Sequence, residues 1–230
     1  MTRSVLHLAD IHLEASFAAS GLPASVGARR REDLRAALSR ALSVARKRQV
    51  DAVTVAGDLY DGRYALPELG GWLAGALASL APIPVIIAPG CTDPCGEDGL
   101  YALTHWPDNV TILPPGPLSA VRVAPDLTIW GSAWRPEGWD ELPSVPASPG
   151  KRHVLLLHSG GPASGEGGLA TAGLRAEVVR AAGYDFALLG GGHMGGLWPA
   201  DDPRGCFPGS LEPLAPDEAA GHHGAALVHI

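Results

Sequence analysis

Five short apolar runs, at residues 5–9, 52–56, 85–88, 154–157 and 186–189, each deliver the chain to a residue that carries chemistry or to a glycine turn leading to one. Asp10, Gly57-Asp58, Pro89-Gly90-Cys91, His158 and the glycines before His193 follow them in order. Runs of four or five apolar residues are shorter than buried helices and read as strands covered on both faces. Between them, residues 31–48, 66–80 and 174–182 place apolar side chains at three- and four-residue spacing, as helices lying on a sheet do. Residues 110–113, 121–123, 127–130 and 225–230 read as further strands. The pattern predicts a layered α/β sandwich with a mixed sheet, single or doubled, in one domain over residues 1–230. Residues 136–150, rich in Pro and Ser, read as a surface loop.

Composition fits a chain with a core of ordinary size, 46% apolar and 18% charged. The uncharged stretch 69–91 is long enough to raise the question of a membrane span, but Pro82 and Pro84 divide it into a helix and a strand, so it reads as buried core. No charged leader with an apolar run precedes Asp10, and three cysteines are an odd number. Both observations predict a reducing, cytoplasmic setting without membrane attachment. The net charge of -7 opposes nucleic-acid binding through the overall field. Residues 29–48 nonetheless carry eight of the 17 basic residues against Glu32 and Asp33. Leu34, Leu38, Ala41, Leu42 and Ala45 make that stretch an amphipathic helix, and its charges read first as a solvated face and second as a contact for DNA.

In open α/β sheets ligands collect where the carboxyl ends of strands release the chain into loops. Asp10, His12, Asp58, Cys91, His158 and His193 all fall there. Asp10, His12, Asp58 and His193 alone make a complete divalent-metal set, and mixed carboxylate and imidazole donors suit Mn, Zn or Fe better than Ca. The expectation is one tightly bound ion, Mn foremost.

The motifs Asp10-Ile11-His12, Gly57-Asp58-Leu59-Tyr60-Asp61, Pro89-Gly90-Cys91-Thr92-Asp93, His158 and Gly190-Gly191-Gly192-His193 resemble, in order, those of calcineurin-like metallophosphoesterases. Residues 6–12, 51–58 and Pro208-Gly209-Ser210-Leu211-Glu212-Pro213-Leu214, with the closing residues 223–228, are similar to the SbcD-type DNA-repair nuclease subunit. The resemblance spans nearly the whole chain. It implies an α/β/β/α sandwich of mixed sheets flanked by helices, hydrolysis of phosphodiester bonds including DNA, and an SbcC-like coiled-coil ATPase partner. No stretch of residues 1–230 resembles the capping region or ATPase-docking segment of SbcD-type proteins, so the expectation is a catalytic core alone.

By the same resemblance Asp58 bridges two ions, and Asp10, His12 and His193 complete the first site. His158 belongs to the second, and Asp58 and His158 are the implied catalytic pair. Cys91 stands where the family places Asn, and Gly191 where it places a ligand His. Thr92 stands where the family places the His that serves the leaving group. The second site is therefore expected to be impaired or remodelled, and activity reduced. Cys91 reads either as a small packed residue or as a thiolate that joins Asp58 and His158 to hold Zn or Fe, with Cys95 as a further thiol within reach. Asp61 and Asp93 read as supports for loops or ligands. His7 reads as core, and His222 or His223 as neighbours of the site. A catalytically weak binding or regulatory subunit and a small-molecule phosphoesterase remain alternatives to the nuclease.

Overall fold

A computed structural model describes residues 2–17, 23–146, 148–160 and 174–230. In chain order the elements are β1 (Ser4–Leu8), α1 (Ala24–Arg48), β2 (Ala52–Ala56), α2 (Pro67–Ala78), β3 (Val85–Ala88), α3 (Leu100–Leu103), β4 (Val110–Ile112) and β5 (Ser119–Ala124). There follow β6 (Leu127–Gly131), β7 (Arg152–His158), α4 (Ala176–Ala181), β8 (Phe186–Gly190), β9 (Gly196–Trp198), β10 (Gly205–Phe207), a 3₁₀ turn (Pro216–Ala220) and β11 (Ala226–His229). Among the described residues the strands form a five-stranded sheet, ordered β11-β1-β2-β3-β4, and a six-stranded sheet, ordered β5-β6-β7-β8-β10-β9. Both are mixed: β1 to β4 run parallel with β11 antiparallel, and β6, β7, β8 and β10 run parallel between antiparallel edges β5 and β9. The sheet is thus doubled.

Alternation along the strands builds three apolar layers. Leu6, Leu8, Val53, Val55, Val85 and Ile87 face α1 and α2. Val5, Ala52, Ile86, Ile129, Val154, Leu156 and Leu188 fill the space between the sheets. Leu155, Leu157, Ala187 and Leu189 face outward toward Val179 of α4 and toward Trp139 and Val145 of the long loop, so that loop covers a sheet face. The residues between the sheets include alanines, which lets the two sheets approach closely. The three leucines of α1, Leu34, Leu38 and Leu42, are buried, and each contributes about 1.5–3 kcal/mol by leaving water.

Helix α1 begins well before the apolar periodicity suggests, because its first turns pack through buried Gly27 rather than through a large side chain. It stops at Gln49, which adopts a left-handed conformation with φ 50°, after Arg46, Lys47 and Arg48 in the last turn, where cations favour the negative end of the helix dipole. The basic face has partners within the chain. Arg35 pairs with Glu14 at 2.5 Å, Arg40 with Glu212 at 3.0 Å, and Arg30 reaches the Pro213 carbonyl. The uncharged stretch after Leu69 is split between α2 and β3, and no helix among the described residues is long and apolar enough to cross a membrane.

Polar rivets join the layers. His7 is fully buried, bonded through Nδ1 to Thr54 Oγ1 at 3.0 Å and through Nε2 to the Leu189 carbonyl of the opposite sheet at 3.1 Å. Burial pushes its pKa down to about 4, so it is a neutral core residue. At the carboxyl ends of the strands the sheets come into backbone contact: a side chain at Gly190 would overlap the Ala56 carbonyl oxygen. That close approach brings the ends of β1, β2, β3, β7 and β8 to a common point.

Candidate metal centre

The loops leaving β1 and β2 are locked to each other. Asp10 N–H donates to the Gly57 carbonyl at 3.0 Å, and His12 N–H to the Asp58 carbonyl at 2.9 Å. Asp10, His12 and Asp58 all hold positive φ, 51°, 48° and 52°, a conformation disfavoured for residues with a Cβ. Such backbone persists only where the surroundings fix it. Here Asp93 does much of the fixing. Its buried carboxylate accepts Asp58 N–H at 2.9 Å, Leu59 N–H at 2.8 Å, Gly90 N–H at 2.6 Å and the Tyr101 hydroxyl at 2.6 Å. Burial, then repulsion by Asp58, pushes the Asp93 carboxyl up to about 7, against the pull of those donors. Asp93 thus supports the loop that carries Asp58. Asp61 acts locally, accepting Arg63 N–H at 3.2 Å and ordering its own turn.

Two ligand groups meet at Asp58. Asp10, His12 and His193 bring their ligand atoms within 4.8 Å of one another, and so do Asp58, Cys91 and His158. The two oxygens of Asp58 have different tasks. Oδ1 accepts Thr92 N–H at 2.8 Å. Oδ2 lies 3.6 Å from each of His12 Nε2, His158 Nε2 and Cys91 Sγ. Both imidazole Nε2 atoms are buried and lack a hydrogen-bond partner among the described residues. Buried polar atoms are ordinarily satisfied, so two orphaned nitrogens turned toward one carboxylate oxygen fit cations between them. The His158 Nδ1 lies 2.9 Å from the Ala56 carbonyl, which makes Nδ1 the donor and leaves Nε2 as the atom that could take an ion.

The electrostatics agree. Burial would lower His158, yet the Asp58 carboxylate, with help from Cys91 and Asp10, drives it up to about 10. Burial raises Asp10 above the usual carboxylate range. For Asp58 burial acts upward too, but His158 and His12 outweigh it and hold the group low. A proton on His158 and a divalent cation beside Oδ2 answer the same concentration of negative charge.

Gly191 completes the first group through its backbone. Its N–H lies 3.0 Å from both Asp10 oxygens. It sits at φ 95°, and a Cβ there would overlap the Gly160 backbone, so this position has neither a ligand nor room for one. Thr92 directs its hydroxyl to the Tyr60 carbonyl at 3.2 Å. Cys95 turns away: its Sγ approaches the Leu113 carbonyl at 3.9 Å and the residue packs against the core beneath α1 and α2, so it does not extend the ligand group.

One contributor carries almost no mark in the sequence. Glu218, in the 3₁₀ turn, accepts from His193 Nδ1 at 2.6 Å, and its other oxygen accepts Leu214 N–H at 2.8 Å. A carboxylate behind a ligand histidine fixes its tautomer and orientation. Burial raises the Glu218 carboxyl, but the His193 bond and the backbone donors bring it below its ordinary value. The only sequence signal is the placement of Glu218 two residues after Pro216, at the start of a turn. Residues 208–214 buttress the same histidine: Ser210 N–H donates to the His193 carbonyl at 2.9 Å, and Ser210 Oγ lies 3.0 Å from His223 Nδ1. His223 Nε2 lies 2.8 Å from the Glu218 carbonyl, so this histidine braces the loop without joining the ligands.

An α/β/β/α sandwich with carboxylate and imidazole ligands gathered at the carboxyl ends of its strands defines a metal-dependent phosphoesterase. The family model described as calcineurin-like phosphoesterase matches residues 3–194, and the chain belongs to that divalent-metal-dependent family. Among solved structures it is similar to the crystal structure of TT1561 of Thermus thermophilus, with 14% identity, a TM-score of 0.54 and coverage of 100% of this chain and 99% of that one, a likeness of fold. No curated protein matches.

Proposed function

We propose that the protein is a phosphodiesterase of the SbcD type that cleaves DNA slowly, with a complete first ion site and a remodelled second one. The observation that carries the reading is Asp58 Oδ2, equidistant at 3.6 Å from His12 Nε2 of one ligand group and His158 Nε2 of the other. Ions held there would supply Lewis-acid polarisation of a phosphoryl oxygen and a water of lowered pKa. The chain's own residues hold the frame: Thr92 N–H orients Asp58, Gly191 N–H orients Asp10, and Glu218 orients His193.

Slowness follows from two positions. The Thr92 hydroxyl already donates to a carbonyl, and no imidazole stands there to protonate a leaving group. Losing a general acid costs on the order of 10²–10⁴ in rate. Gly191 offers the second ion no donor. DNA as substrate, manganese as the working ion, a cytoplasmic setting and an SbcC-like ATPase partner rest on residues 6–12, 51–58 and 208–214, whose likeness is to SbcD-type subunits. Support for the last of these segments is its position, packed directly beneath His193.

End-labelled linear DNA incubated with the purified protein and Mn tests the substrate, with Asp58→Asn as control. Degradation by the wild type alone is the expected result. Intact DNA in both, alongside cleavage of simple phosphodiesters, would replace the nuclease by a small-molecule phosphoesterase. Inertness toward every phosphoester in the presence of bound metal would favour the binding-subunit alternative.

A further inference from the structure

The two ligand groups differ in chemical kind. The first offers a carboxylate and two imidazoles; the second offers a carboxylate, an imidazole and a thiol. Cys91 Sγ and His158 Nε2 each lie 3.6 Å from Asp58 Oδ2, and the three ligand atoms lie within 4.8 Å of one another. Tetrahedral zinc with bonds of about 2.3 Å to sulfur and about 2.0 Å to nitrogen and oxygen gives ligand-to-ligand edges of about 3.3–3.5 Å. The two observed edges at Oδ2 are within a few tenths of an ångström of that figure.

A packing role for Cys91 predicts a sulfur sealed among apolar atoms, since free cysteines that only fill space behave as small hydrophobes. The surroundings are otherwise. Cys91 is partly exposed, and its sulfur faces a carboxylate and an imidazole that has no other partner at Nε2 among the described residues. His158 is held for ligation by its Nδ1 bond to the Ala56 carbonyl, the kind of support that fixes metal-binding histidines.

We infer that Asp58, Cys91 and His158 form a thiolate-containing site that takes a thiophilic divalent ion, zinc or ferrous iron, in preference to manganese. Thiolate donors favour these softer ions, while carboxylate and water suit Mn and Mg. The centre is then mixed: a first group that accepts manganese beside a second that rejects it, joined through Asp58. The inference deepens the phosphodiesterase reading and rests on it for the place of the ion, but its test does not depend on turnover.

The test uses the full chain, stripped of metal by a chelator under a phosphine reductant and titrated with Co²⁺ while the near-ultraviolet absorption is recorded. A thiolate-to-cobalt charge-transfer band is expected. It is lost in Cys91→Ser and kept in Cys95→Ser and Cys206→Ser; one equivalent of Zn²⁺ bleaches it and excess Mn²⁺ does not. Cobalt bound with no such band in the wild type, or a band that survives in Cys91→Ser, overturns the inference. The wild-type spectrum decides the matter even where a variant fails to fold. If cobalt binds without the band and phosphodiesters are still cleaved, the thiolate site alone falls; if no cobalt binds, the phosphodiesterase reading falls with it.

Discussion

Asp93 carries Asp58: its carboxylate accepts the Asp58 N–H at 2.9 Å and, with Leu59, Gly90 and Tyr101 as further donors, ties the loop after β2 to the loop after β3. All four partners donate, so an acceptor-only group is required on this spot. Asp93→Asn turns an amide NH₂ against at least one of them. Leaving a buried donor unmatched costs about 1–3 kcal/mol. Urea denaturation is expected to show a loss in that range together with reduced metal binding; a variant as stable as the wild type would contradict the role given to Asp93.

Glu218 fixes His193, one of the candidate metal ligands. Its carboxylate lies 2.6 Å from the ring nitrogen and is itself anchored by the Leu214 and Ala215 N–H groups. Removing such an outer partner costs typically about 10–100-fold in metal affinity. Glu218→Gln is expected to weaken Mn²⁺ binding in a calorimetric titration by that factor, with the thiolate-to-cobalt signal of Cys91 unchanged. Equal Mn²⁺ affinity in the two proteins would reduce Glu218 to a cap of its turn.

The difference between what was readable in the chain and what was not follows from the range of the interactions. The placement of Asp10, Asp58, Cys91, His158 and His193 at strand ends was legible because each follows a run whose apolar character comes from burial on both faces. Strands β9 and β10 were not, since three residues each among glycines and prolines carry no period. Nor was Glu218, whose partner lies 25 residues away across a loop. That Gly191 lacks room, beyond lacking a side chain, depends on the Gly160 backbone, which no local pattern announces. Cys95, expected as a spare thiol, is drawn off by packing against the core.

Gly191→His restores the family pattern on paper and should fail in the protein. The position is at φ 95°, and the new Cβ would collide with the Gly160 backbone. Backbone strain of this kind costs of order 1–3 kcal/mol, and the collision adds to it. A lower thermal midpoint with no gain in phosphodiesterase rate is expected. A stable variant with raised activity would mean that the loop accommodates the missing ligand.

At the far end of the sandwich, Arg3 clamps the two sheets, pairing with Asp51 before β2 at 2.8 Å and with Asp126 in the β5–β6 turn at 2.7 Å. Partial burial raises the Asp51 carboxyl, but the Ser4 N–H and the Arg3 guanidinium outweigh it and hold the group below the usual carboxylate range. The Arg3 hydrogen bond likewise depresses Asp126. A carboxylate depressed by folding contributes stability that is present above its unfolded pKa of about 3.9 and is lost as pH falls through the folded value. Asp51→Asn should therefore lower the urea midpoint at neutral pH and converge on the wild type in strong acid. A difference that is constant across the acid range would contradict the assignment.

As a phosphodiesterase, the protein would hydrolyse its substrate through Asp58, the residue shared by the two candidate ligand groups. The most direct measurement is kcat/KM for bis(p-nitrophenyl) phosphate with Mn²⁺, for the wild type and Asp58→Asn purified side by side. A slow wild-type rate above background that disappears in Asp58→Asn is the predicted result; equal rates in the two proteins would contradict it.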